Sequence, residues 1–206
     1  MRLAGLIAAA GASTRLGFPK LLLALDDEPL VLLWEHSMRR AGVGTVAATV
    51  PPAHLIADSD ARDCAALCDR LRARGVHLLD NSFWAEGLIG TVKSALECFS
   101  NIDALVLTPV DVPCPDASLI AALIADESRE VCFPQAAQER GHPIVLRSSS
   151  FSAVQEYRGS GGLESLFAIA SLPGVSWPDP ACAQRIQSAN ALANSRISCW
   201  RAPPAH

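Results

Sequence analysis

Short apolar runs alternate with amphipathic stretches along the chain as far as Ala125. Leu3–Ala9 carries no charge and ends in small residues before Gly11, the pattern of a strand buried on both faces. Leu30, Leu33, Trp34, Ser37, Met38 and Ala41 share one face at helical spacing, and Gly42 stops that helix. Gly44–Val50 predicts a strand closed by Pro51 and Pro52. Ala61, Cys64, Ala65, Cys68 and Leu71 form the next helical stripe, ended at Gly75, and Val76–Leu79 predicts a strand. Leu88, Val92, Ala95, Leu96 and Phe99 mark a third helix. Ala104–Val110 is the most strand-like interior run, and Asp116 is placed to N-cap a helix through Ala125. A β-α-β-α series of this kind predicts the α/β class, with a mostly parallel sheet covered by helices on both faces.

After Val131 the pattern loosens. Pro134–Gly141 is polar and turn-like, Pro143–Leu146 predicts a strand, and Arg158–Gly162 a glycine loop before a helix at Leu163–Ala170. Beyond Pro173 periodicity fades, and the end, Ala202–His206, is expected to be disordered. With no internal repeat and no dividing linker, residues 1–206 are expected to form one domain.

Half the residues are hydrophobic and only 18% charged, which excludes a disordered polypeptide. No apolar stretch approaches the ~18 residues of a membrane span. The densest run, Leu21 to Trp34, is broken by Asp26, Asp27, Glu28 and Pro29. The first residues lack a secretory layout, so a cytoplasmic protein without a membrane partner is expected. Net charge is −4, which gives a nucleic-acid partner no electrostatic support. Seven cysteines in no scaffold spacing fit reduced thiols. Cys64 and Cys68 stand one helical turn apart, but no further His or Cys pair completes a metal site, and ordinary buried thiols are expected. Only two of the 17 basic residues are lysines, Lys20 and Lys93. A compact, rotatable ammonium kept in an arginine-rich chain marks both for attention.

Chemistry concentrates first in Ala8–Lys20, directly after the first strand. Small residues and glycines there let backbone N–H groups approach phosphate oxygens. Gly11 and Gly17 are too far apart for a dinucleotide fingerprint, and Lys20 follows Gly17 too late for a Walker A loop. What remains is a long loop with Ser13, Arg15 and Lys20 arranged to meet a polyanion; the alternative is a surface turn with solvated cations.

This stretch resembles the A-A-G-x-S-x-R-x-G-x-P-K signature of nucleotidyltransferases that act on the molybdenum cofactor, and is most similar to their cytidylyltransferase branch. Further marks follow in order. Asn81–Gly87 resembles the family's N-x-x-W-x-x-G loop, and Gly90-Thr91-Val92 its following helix start. Leu107–Pro113 resembles L-x-D-M-P, and Arg140–Leu146 resembles R-G-H-P-V-L. The resemblance implies a Rossmann-like three-layer sandwich, with a nucleotide-binding part at about 1–115 and an acceptor-binding part at about 116–200. It implies transfer of CMP from CTP to a phosphorylated acceptor, most simply molybdopterin, with Mg²⁺ as cofactor and a molybdenum enzyme as a further partner. It puts Arg15, Lys20 and Asp111 in the catalytic role, with Asp111 on the metal. Ala9, Ala10, Gly11, Ala12, Ser13, Arg15 and Lys20 would bind the nucleotide, with Ala10, Gly11, Arg15 and Lys20 on the triphosphate. Asp80, Asn81, Gly87 and Gly90 would border base and ribose. The position of Asp111 agrees independently, because ligands of open α/β sheets bind beyond the carboxyl ends of the strands. Its alternative role is a turn or cap residue before Pro113.

His142 and Ser160 are weaker candidates for the acceptor side. Gly-His-Pro at a strand start is either a backbone-shaping element or a substrate contact, and Lys93 either reaches phosphate or is solvated. The chain also departs from the pattern. Ser160 and Glu164 replace an Asp and an Arg of the usual G-D-x-G-A-R segment, and Gln187 replaces the Asp of I-D-T-P-E-D-L. An amide oxygen can still coordinate, but without charge. Two alternatives therefore stay open: transfer to a sugar or alditol phosphate, and a non-catalytic nucleotide-binding maturation factor.

Overall fold

A computed structural model describes residues 1–11, 15–80, 87–188 and 196–203. β1 (Leu3–Ala8) leads to a 3-10 turn at Lys20–Leu22 and a hairpin of β2 (Leu23–Leu25) and β3 (Glu28–Pro29). Next come α1 (Leu30–Arg40), β4 (Thr45–Val50), α2 (Asp58–Ala73) and β5 (His77–Asp80). α3 (Leu88–Cys98), β6 (Ala104–Pro109) and α4 (Ala117–Ala125) complete the predicted alternation. The remainder holds β7 (Val131–Cys132), β8 (Pro134–Ala136), β9 (Glu139–Arg140) and β10 (Ile144–Arg147). It ends with α5 (Phe151–Glu156), α6 (Gly162–Leu166), β11 (Val175–Ser176) and β12 (Ile197–Cys199).

The central sheet has the order β5-β4-β1-β6-β10-β7, with β5, β4, β1 and β6 parallel and β10 antiparallel to both neighbours. Alternate residues of each strand feed opposite faces, so two cores form. Ile7, Val46 and Val106 meet Trp34, Met38, Leu67 and Leu119 from α1, α2 and α4. Leu6, Ala47 and Leu105 meet Val92, Val154 and Leu163 from α3, α5 and α6. This is the expected three-layer sandwich, and Asp116 caps α4 as read, its side chain accepting from Ser118 N at 2.7 Å. Among the described residues no helix is long and apolar enough to cross a membrane.

Four local expectations change. The charged break at Asp26-Asp27 is a two-residue hairpin turn with both residues at positive φ, and Leu25 pairs with Glu28 across it. The polar Pro134–Gly141 segment is a hairpin of β8 and β9 rather than a loop. The helix expected at 163–170 stops early because Ala168 turns left-handed, with φ 47°. Chain beyond Pro173, though aperiodic, supplies β11 to β8 and β12 to β2. Its end is held as far as Pro203. Trp200 N donates to the Leu22 carbonyl at 2.7 Å, Arg201 bonds the buried Asp60 and Asp63, and Arg62 donates to the Pro203 carbonyl at 2.6 Å. That strap braces the turn that carries Lys20.

Candidate active site

From β1 the chain builds outward to β4 and β5, then returns to place β6 on the other side of β1. The order therefore reverses between β1 and β6, where open α/β sheets form a ligand crevice. There lies a cavity of about 200 Å³ lined by Ala8, Ala10, Gly11, Lys20, Gly87, Leu88, Thr91, Pro109, Asp111 and Arg185. Val110 N donates to the Ala8 carbonyl at 3.0 Å, so the two strand ends are tied where the cavity begins.

Asp111 is the buried charge of this site. Lys20 Nζ donates to its Oδ2 at 2.7 Å, and Arg185 donates through Nε to Oδ1 at 2.7 Å and through Nη2 to Oδ2 at 3.1 Å. A buried carboxylate requires partners of this kind, because an unpaired one would lose its hydration without return. Two cations on one carboxylate leave the cluster one positive charge in excess, which suits a polyanion. Arg185 escaped the sequence reading because it lies in aperiodic chain, one arginine among many.

The glycine loop is built differently from the expectation. Ala9 N and Ala10 N both donate to Thr49 Oγ1, at 3.0 and 3.2 Å, in a buried position at the end of β4. These amides hold the loop in shape, while Ala10 still lines the cavity. Thr49 was likewise missed, since a threonine in a β-branched strand carries no separate signal. Arg15 is exposed and reaches Gln187 Oε1 at 3.3 Å rather than the cavity wall. Asp80 is exposed at the end of β5 and does not line the cavity. Ala12, Ser13 and Asn81 lie outside the described residues. Gly87 precedes α3 at φ 72°, a conformation that favours glycine, and so aims the α3 N-terminus at the cavity. Gly90 is buried in the first turn of α3.

A second cavity of about 420 Å³ adjoins the first and shares Gly87, Leu88 and Arg185 with it. Phe133, Ile144, Leu163 and Ile169 form its apolar wall; Arg140, His142 and Glu164 are its other polar side chains. Ser160 does not line it. That residue is exposed, and its carbonyl accepts from Tyr157 Oη, while Gly161 and Gly162 form the wall. Although His142 as a whole is half-buried, its Nδ1 is closed to solvent and has no hydrogen-bond partner among the described residues. Burial, and then the nearby Arg185, push its pKa down to about 3 against the opposing pull of Asp111, so the imidazole is neutral at ordinary pH. Lys93 does neither of the things expected of it: its Nζ donates to the Tyr157 carbonyl at 2.6 Å and ties α3 to the end of α5.

Cys64 is buried as expected, whereas Cys68 is half-buried. Burial pushes Cys64 up to about 12 and also raises Cys68, so neither is a nucleophile at neutral pH. Among the described residues no group of three or more His, Cys, Asp and Glu can hold a metal. The donor set at Asp111 still fits a hard divalent cation shared with phosphates, since Mg²⁺ commonly takes one or two protein carboxylates and completes its shell with phosphate oxygens and water.

A family model described as the MobA-like NTP transferase domain matches residues 5–175. No curated protein matches. Several solved structures do. Rv0371c from Mycobacterium tuberculosis is 20% identical, with a TM-score of 0.72 over 94% of this chain and 96% of that one. The same mycobacterial protein has been solved in complex with manganese. The 2-C-methyl-D-erythritol 4-phosphate cytidylyltransferase from Thermus thermophilus is 15% identical, with a TM-score of 0.61 over 95% and 98% of the two chains. The molybdopterin-guanine dinucleotide biosynthesis protein A from Archaeoglobus fulgidus is 15% identical, with a TM-score of 0.60 over 94% and 95%. These likenesses establish a shared fold.

Proposed function

The chain belongs to the MobA-like NTP transferase family, and from that premise we propose that it transfers CMP from CTP to a phosphorylated acceptor of the molybdopterin class. The observation that carries this reading is the cavity between β1 and β6, where Gly11, Lys20 and Asp111 meet at one point.

An oxygen of the acceptor's phosphate attacks the α-phosphorus of CTP in line. The bond from the α-phosphorus to the bridging oxygen breaks, and that oxygen leaves with pyrophosphate. No covalent enzyme intermediate is needed. Lys20 turns its ammonium from Asp111 to the triphosphate, and the α3 N-terminus at Gly87 faces the same phosphates. Bound through Asp111, Mg²⁺ would supply charge neutralisation at the phosphates. The apolar wall of the second cavity suits a flat heterocycle, and Arg140 and Arg185 suit its phosphate. Ala10 narrows the first cavity beside the base, which disfavours a purine. A methyl-sized difference is worth ~1–3 kcal/mol, or roughly tenfold to a few hundredfold.

Transfer to a sugar or alditol phosphate is the second reading, favoured by the loss of acidic residues at Ser160 and Gln187. Pyrophosphate release, measured for each nucleoside triphosphate with Mg²⁺ and a panel of phosphorylated acceptors, tests both. Turnover with CTP and a pterin phosphate is expected. Turnover with GTP alone would overturn the nucleotide assignment, and turnover with only an alditol phosphate would overturn the acceptor.

A further inference from the structure

Arg185 lies outside every motif that carries the nucleotide reading, yet it lines both cavities. Two backbone contacts deliver it there. Ile186 N donates to the Asp111 carbonyl at 2.8 Å, and the Cys182 carbonyl accepts from His142 N at 2.8 Å. The second contact needs Gly141, because a Cβ there would stand 2.5 Å from the Cys182 carbonyl oxygen. The segment from Cys182 to Ile186 is thus pinned at both ends, and Arg185 forms the partition between the cavities.

Its guanidinium occupies both oxygens of Asp111, and Lys20 occupies one of them again. A carboxylate offers roughly four lone-pair sites. Three are therefore taken, and a divalent cation arriving beside a guanidinium meets like charge. The side chain of Asp111 is 1% exposed whereas that of Arg185 is 35% exposed, so the arginine can leave without opening the core. On its other side is the second cavity, where His142 is neutral and the other charged lining residues are Arg140 and Glu164, one of each sign. Among the described residues of its wall, Arg185 is the cation that makes the formal charge positive, and its guanidinium is held on Asp111.

We propose that Arg185 is an exchange residue: it neutralises Asp111 while no divalent cation is bound, and a cation that takes Asp111 releases the guanidinium to anchor an anion in the second cavity. The inference rests on reading that cavity as the seat of the acceptor's phosphate. Cation binding in one cavity then strengthens anion binding in the other, and the coupling runs equally in reverse. Arg185 acts here as a positioning and anchoring group.

Two nucleotide-free titrations test this. In the first, Mn²⁺ is titrated into the wild-type chain, Arg185→Ala and Arg185→Lys, and bound metal is read by electron paramagnetic resonance. Removing the competing guanidinium should tighten Mn²⁺ binding about tenfold, and Arg185→Lys, which keeps charge but loses the fork, should fall between. Unchanged or weaker Mn²⁺ binding in a folded Arg185→Ala protein would overturn the proposal. Should Arg185→Ala fail to fold, the same outcome in Arg185→Lys would overturn it. In the second, inorganic phosphate is titrated into Asp111→Asn and into Asp111→Asn combined with Arg185→Ala, without metal. Loss of the carboxylate charge should tighten phosphate binding several-fold, and the gain should vanish in the double variant. A gain that persists there would assign it to Lys20 and overturn the release of Arg185. Intact CTP turnover with unexchanged Mn²⁺ affinities would remove this inference alone. Absent CTP binding with the expected exchange would remove the cytidylyl reading alone.

Discussion

Replacing Thr49 by Val separates a structural role of the first loop from a ligand role. Thr49 Oγ1 is buried and accepts from two amides, Ala9 N at 3.0 Å and Ala10 N at 3.2 Å. Valine keeps the shape but removes the oxygen, so both amides lose their acceptor inside the protein. An unsatisfied buried donor costs about 1–3 kcal/mol. The longer of the two bonds is the weaker, and the added methyl returns about 0.8 kcal/mol of hydrophobic burial. The net loss is then about 1–5 kcal/mol, or about 2–20 °C in Tm for a chain of this size. Urea unfolding should show a lower midpoint at an unchanged slope. Thr49→Ser keeps the oxygen and loses only a methyl, so it should cost about 1 kcal/mol. A Thr49→Val protein within about 0.5 kcal/mol of wild type, or a Ser variant as unstable as the Val variant, would refute the assignment of the hydroxyl to these amides.

Lys20→Ala should weaken CTP binding by one to two decades, from about 1.5–3 kcal/mol per charge-assisted phosphate contact, while leaving CMP nearly unchanged in calorimetry. Arg15→Ala should cost only a few-fold, because that side chain is exposed and bonded to Gln187; equal losses for the two variants would count against the geometry. Asp111→Asn should lower turnover at limiting Mg²⁺ by at least about a hundredfold with the circular dichroism spectrum unchanged, and wild-type rates would take Asp111 out of the site. His142 contributes to pH dependence with a definite sign. Its folded pKa of about 3 lies below the ordinary histidine value of 6.5, so the unfolded chain binds the extra proton between those values. Stability from this group is present above pH 6.5 and is lost on acidification toward pH 3, by at most about 1.4 kcal/mol per unit. Chemical unfolding of wild type and His142→Asn at a series of pH values should show a difference that changes across this window; a constant difference would leave the imidazole accessible to protons.

What the sequence determined by itself is whatever depends on neighbours along the chain. Strand period, helical stripes and the Asp116 cap are local, so β1, β4, β6 and the helices between them could be read directly. Gly11 and Asp111 were legible for the same reason: each follows closely on a strand end, and parallel strands bring those ends to one edge, whereas Lys20 stood out as one of two lysines and through the resemblance. Tertiary structure decided what depends on distant pairing. Thr49 meets its amides across 40 positions, and Arg185 meets Asp111 across 74. Neither residue differs locally from its neighbours, and only the packed sheet puts them beside their partners. The short strands β2, β3 and β12 hold too few residues to show a period, and β12 belongs with these because it pairs with β2 across more than 170 positions. The second cavity is of this kind throughout. Its walls come from the start of α3, β9, β10, α6 and the segment of Arg185, and the His142 imidazole becomes neutral only when such walls close its Nδ1 to water.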